Sequence, residues 1–112
     1  LTTVDYLEAA VEVKWRRFDY KTLMEQHSGE MLLGSDKVLA GKAFAFAFRK
    51  PTKLLYLLTD CLLVQELVDG KGDTPEMIRE AWVEGPKSDE DRSKIRKANC
   101  YFKTETAEKI GL

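Results

Sequence analysis

With one histidine in 112 residues, the chain has little material for metal or triad chemistry. His27 has no Cys or His neighbour at ligand spacing, so we read it as a solvated helix end. Cysteine is almost as scarce: Cys61 and Cys100 are too few for a disulfide framework, and each sits in an apolar run where a thiol behaves as a small hydrophobe. We expect both to be buried and reduced, which points to an intracellular, cytoplasmic protein. Long hydrophobic runs are missing as well. The leucine-rich stretch Leu54 to Leu58 is far short of the roughly 20 residues that span a bilayer, and no charged region precedes a signal-like core at the N-terminus. No transmembrane segment and no secretion are therefore expected.

Catalytic and cofactor signatures are absent too. Gly70-Lys71-Gly72-Asp73-Thr74 lacks the length and the Gly-Lys-Ser/Thr ending of a phosphate-binding loop, so it reads as a turn. Asp89-Glu90-Asp91 has neither the spaced ligands nor the glycine turn of a cation loop. No internal repeat and no low-complexity tract interrupts the chain. A non-enzymatic protein without cofactor or metal is the expectation.

What is present is an ordinary globular composition, 44% hydrophobic and 33% charged, enough for a single domain over residues 1–112 with its own core. The net charge is −1, but it is unevenly partitioned. Residues 1–34 carry net −2, residues 35–56 net +4, residues 57–91 net −7 and residues 92–112 net +4. Lys37, Lys42, Arg49, Lys50 and Lys53 form the second of these segments and are the candidate binding residues. If the two basic segments meet in the fold, the protein has a cationic face suited to a protein partner or an anionic membrane surface. Nucleic acid is the weaker option, through residues 92–103, because such domains are usually basic overall.

Along the chain, Val4, Leu7, Val11, Trp15 and Phe18 recur at spacings of three and four behind a possible Thr2 or Thr3 cap. A helix over residues 3–26 is expected, ended by His27-Ser28-Gly29. Glu30 to Leu33 reads as a strand, Gly34 to Lys37 as a turn and Val38 to Ala40 as its return. In Ala43 to Phe48 strict Phe/Ala alternation predicts a strand with three rings on one side, because a helix would scatter them. Lys53 to Val68 fits a hairpin turning at Thr59-Asp60, or alternatively a helix. Met77 to Val83 reads as a strand with Trp82 on it, or as a helix starting at Pro75. Gly85 to Asp91 reads as a polar loop, and Ser88 to Asp91 also fits a capping box for a short helix through Ile95. Asn99 to Thr104 reads as a strand, and Thr106 to Leu112 as its partner or a last helical turn.

The stretch "LLYLLTDCLLVQE" resembles the third and fourth strands of a pleckstrin-homology domain, particularly the kind that follows the catalytic domain of Rho exchange factors. "KANCYFKTETAEKIGL" is similar to the strand and hairpin near the end of such domains, and "SGEMLLGSDKVL" would be the opening strand. The resemblance covers about residues 28–112. It implies a bent antiparallel sheet and non-enzymatic recognition of a protein partner, with an anionic lipid surface as a second ligand. The expected architecture is thus α+β: an N-terminal helix (1–27) packed on a mostly antiparallel, pleckstrin-homology-like sheet (28–112). The alternative is a mostly helical assembly subunit, with residues 53–69 as a buried helix.

Overall fold

The hairpin that was open between strand and helix is a hairpin. In the computed structural model, which describes residues 8–88 and 90–112, β3 (Thr52–Leu57) and β4 (Cys61–Val68) pair antiparallel, turning through Leu58-Thr59-Asp60. Alternation decides it: Thr52, Leu54 and Tyr56 on β3 and Cys61, Leu63, Gln65 and Leu67 on β4 are all buried on one face. β1 (Ala10–Trp15) lies parallel to β3, and β7 (Glu108–Gly111) lies antiparallel to β4. The first sheet therefore has the order β1-β3-β4-β7. A second, three-stranded antiparallel sheet runs β2-β6-β5, from β2 (Glu30–Gly34), β6 (Lys94–Lys103) and β5 (Met77–Pro86). Two helices, α1 (Tyr20–Gln26) and α2 (Ser35–Phe48), complete the described residues. The protein is α+β, and the mostly helical alternative does not stand.

The expected helix over residues 3–26 is corrected. Its first residues lie outside the described ones, and the rest is β1, a bend and the two-turn α1. A helical spacing of apolar residues coexists here with an alternation of period two: Val11, Val13 and Trp15 face one way, Glu12 and Lys14 the other. The alternation wins because β1 gains a complete parallel ladder with β3, from Ala10↔Thr52 to Trp15↔Leu57. The helix starts instead at Asp19, whose carboxylate accepts a 2.8 Å bond from the Thr22 N–H. That bond and the one from the Thr22 hydroxyl hold the Asp19 carboxyl below its ordinary value. A depressed carboxyl contributes stability above its unfolded pKa and loses it as pH falls through the folded value. Asp19→Ala is accordingly expected to melt below the wild type at pH 7, the gap closing as the pH is lowered below about 4. A calorimetric pH series checks this, and a gap that persists in acid would assign the loss to packing. Helix α1 ends as expected, with the Gly29 N–H donating to the Leu23 carbonyl at 3.1 Å and Gly29 at φ +64.

The second correction concerns residues 34–48. The expected turn at Gly34 to Lys37, the return strand Val38 to Ala40 and the Phe/Ala strand Ala43 to Phe48 are one 14-residue helix, α2. The three rings no longer share one side, as a helix requires. Phe44 and Phe48, four apart, meet with centroids 5.0 Å apart, while Phe46 is 83% exposed. The buried stripe is made of small residues, Val38, Gly41 and Ala45, so that α2 lies close against strands of both sheets. Alanine is the best helix former, which gives the local preference, and close approach to the hairpin gives the packing.

Of the two readings of Gly85 to Ile95, the short helix from Ser88 is corrected and a loop joins β5 to β6. Ser88 does accept from the Asp91 N–H at 2.9 Å, as a cap does, but the bonds then close a loop, with the Ser93 N–H donating to Asp91 at 3.0 Å, and β6 begins at Lys94. β5 is a strand, not a helix, and Trp82 on it is exposed. β7 pairs with β4 rather than with β6. Between the sheets and α2 lies one core of Leu23, Met31, Leu33, Val38, Ala45, Leu54, Tyr56, Leu63, Phe102 and their neighbours, including both free cysteines. Among the described residues no helix is long and apolar enough to cross a membrane.

Candidate functional site

A groove runs between β1 and the face of the second sheet turned away from α2. Its floor comes from Leu32 on β2 and Lys97, Ala98 and Asn99 on β6, and one wall from Glu12, Val13 and Lys14 on β1 with Arg16 just beyond. The start of α2 and the β5–β6 turn close its ends with Lys37 and Lys87. The cavity volume is about 980 Å³, the size range of ligand-binding clefts. Five cations, Lys14, Arg16, Lys37, Lys87 and Lys97, face two carboxylates, Glu12 and Asp36, a difference of +3.

Strand geometry explains how the cations arrive there. β1 turns Val11, Val13 and Trp15 to one side, so Glu12, Lys14 and Arg16 must take the other. Arg16 is fixed in place: its Nε donates to the Tyr56 hydroxyl at 3.0 Å, and the guanidinium lies 5.8 Å from the Tyr56 ring centroid. The buried tyrosine thereby has a partner for its polar end. Arg16 and Leu32 also line a second hollow of about 390 Å³, where Arg79 sits 3.8 Å over the Tyr101 ring and pairs with Glu30 at 3.0 Å. Among the described residues Lys37, Lys87 and Lys97 make no ion pair.

Of the five residues singled out from sequence, only Lys37 lines this groove. Lys42 is on the opposite side of the second sheet. Arg49 is the left-handed cap of α2, with φ 57 and its N–H donating to the Ala45 carbonyl at 2.8 Å. Twelve helical positions separate it from Lys37, about 18 Å along the axis. Lys50 is half-buried before Pro51, and Lys53 is exposed on the outer face of β3. A basic run in the sequence became dispersed because half of it is helix. The two basic segments do meet, at Lys37 and Lys97, joined by Lys14, Arg16 and Lys87 from segments that are acidic in sum. The alternation of Glu12, Lys14 and Arg16 with Val and Trp was the signal that could have placed β1's cations on one face.

Lys42 lines a smaller cavity of about 290 Å³ with Ser35, Glu80 and Cys100. The Ser35 hydroxyl donates to the Glu80 carboxylate and lies 3.4 Å from the Cys100 sulfur. Burial pushes the Cys100 thiol above its ordinary range, Glu80 adds to this, and the Ser35 bond opposes it. Cys100 is thus held as a thiol rather than as a reactive thiolate. Burial acts on Cys61 in the same direction, reinforced by the charge of Asp60. Among the described residues no cluster of His, Cys, Asp and Glu is placed to hold a metal ion.

Fold and groove define an α+β protein of two sheets bridged by a helix, with a cationic cleft along an edge strand. Comparison with family models, with curated proteins and with solved structures returns no match.

Proposed function

We propose that this protein is a non-enzymatic recognition module whose groove takes an acidic, extended segment of a protein partner. The observation that carries this is the convergence of five cations from β1, α2, β6 and the β5–β6 turn on one concavity. Like charges brought together repel, and an anionic ligand relieves that repulsion. Concavity favours a strand-like segment over a flat membrane. β1 is an edge strand among the described residues, and its ladder uses the even-numbered residues, with the Ala10 N–H bonding Pro51 and the Arg16 N–H bonding Leu57. In a parallel ladder the backbone groups of the alternate residues, Val11, Val13 and Trp15, then point to the open edge, where an added strand can pair. Binding of a protein partner is also what the resemblance to pleckstrin-homology domains implies.

The test is fluorescence anisotropy with a glutamate- and aspartate-rich peptide, against a lysine-rich peptide of the same length. The acidic peptide is expected to bind with strong salt dependence. Lys37→Glu/Lys87→Glu/Lys97→Glu is expected to weaken it about 100-fold, near 1 kcal/mol per reversed site. Lys42→Ala/Arg49→Ala/Lys50→Ala, outside the groove, leaves the affinity unchanged. Equal binding of both peptides, or indifference to the triple reversal, overturns the proposal. Capture by anionic vesicles that the Lys42/Arg49/Lys50 variant abolishes would establish the membrane alternative in its place.

A further inference from the structure

The outer face of the first sheet, opposite the core, is apolar where an antiparallel sheet usually turns polar residues to water. Its rows follow from the register. Val13, Leu55 and Val64 stand side by side with Glu108 closing their row, and Trp15, Leu57, Leu62 and Ile110 form the next. Val11, Val13 and Trp15 are 52%, 61% and 57% exposed, and Ile110 42%. With the half-buried leucines they present on the order of 500 Å² of apolar surface, at the upper end for a monomer. β3 and β4 accordingly read as nearly continuous apolar strands, the pattern of strands covered on both faces.

We propose that this face is the interface of a homodimer, two copies packing their first sheets together. Two observations select a second copy over another partner. The row at one end of the patch holds one cation and one anion on neighbouring strands, Lys53 opposite Glu66. A two-fold axis parallel to the strands and passing between β3 and β4 lays Lys53 of each copy over Glu66 of the other. The same axis lays Leu55 over Val64 and Leu57 over Leu62, each pair then occurring twice, as an isologous interface requires. Along β3 and β4 the patch is thus complementary to itself in charge and in apolarity, while at its edges the same axis brings Glu108 of β7 over Val13 of the other copy. Area agrees: burying both copies' patches removes about 1,000 Å² from water, the threshold for a specific interface. Arg17, 5.1 Å from the Trp15 ring centroid, supplies a cationic rim. The aligned packing of two sheets accommodates this arrangement. It buries the outer faces of β1, β3, β4 and β7 and leaves open the groove, to which β1 turns its charged side chains Glu12 and Lys14 from the other face and whose wall Val13 shares.

Light scattering and sedimentation on the full chain, from micromolar to near-millimolar concentration, test the proposal. The wild type is expected to move from monomer to dimer mass. Val13→Glu/Trp15→Glu, at two exposed positions, is expected to remain monomeric with an unchanged circular dichroism spectrum. Lys53→Glu and Glu66→Lys are each expected to weaken self-association at least 10-fold, while an equimolar mixture of the two restores it, because each opposed pair then carries opposite charges. A wild type that is monomeric throughout overturns the proposal and leaves the face to another partner. A dimer that survives Val13→Glu/Trp15→Glu overturns it in favour of a different surface. A mixture that stays monomeric overturns the two-fold placement. None of these readouts depends on peptide binding in the groove.

Discussion

Phe102→Ala is expected to lower the melting temperature by roughly 15 °C, the largest loss for any single truncation considered in this fold, corresponding to about 3–5 kcal/mol. Phe102 is fully buried on the central strand of the second sheet, with Met31 of β2 and Met77 of β5 as its two cross-strand partners. Removing the ring takes away both its transfer from water and the contacts that fill the space between those methionines. Methionine adapts to irregular gaps, so collapse of the two side chains recovers part of the loss and keeps it from the top of the range. Phe102→Leu retains most of the volume and is expected to cost about half as much. Denaturant unfolding of the three proteins checks the order. A loss under about 1 kcal/mol for Phe102→Ala would show that the second sheet contributes little to the cooperative unit.

Gly41→Leu is expected to destabilise by about 2–3 kcal/mol, although it replaces a poor helix former in the middle of a helix with a good one. A Cβ at position 41 would meet Val68 Cγ2 at 3.1 Å and Thr52 Oγ1 at 3.3 Å. Both neighbours are buried side chains on the β3–β4 hairpin, and the Thr52 hydroxyl donates to the Gly41 carbonyl at 3.4 Å. Branches beyond Cβ therefore have no space unless α2 lifts from the hairpin. Gly41→Ala is the informative companion: its propensity gain of about 1 kcal/mol opposes the tight contacts, so its stability is expected to stay within about 1 kcal/mol of the wild type. Thermal melts of the pair separate the terms. If Gly41→Leu were as stable as Gly41→Ala, α2 would not be seated on the hairpin as described.

The local chemistry of the chain was legible wherever one signal acted alone. Turn residues at Thr59-Asp60 and around Gly70 and Gly72, and burial of both cysteines, could be read directly, whereas residues 53–68 fitted a hairpin and a helix alike until burial on one face decided them. Where two periodicities overlapped, local reading failed. Residues 10–15 satisfy both a helical and a strand pattern, and only pairing with β3, some forty residues later, chooses between them. Residues 43–48 alternate as a strand does, yet alanine's preference and the room left by Gly41 make them helical. The candidate site was less legible still. Arg16, Lys87 and Lys97 are far apart in sequence, and nothing in their immediate neighbours distinguishes them from solvated surface charges. Composition, charge partition and the turns at Thr59-Asp60 and Asp69 to Asp73 were determined by the sequence alone, because each depends on a residue and its nearest neighbours. Tertiary structure decided which period β1 and α2 obey, which cations share a groove, and which apolar face is left uncovered. Those outcomes depend on long-range pairing and close packing, whose free energies exceed local preferences of a few tenths of a kcal/mol per residue.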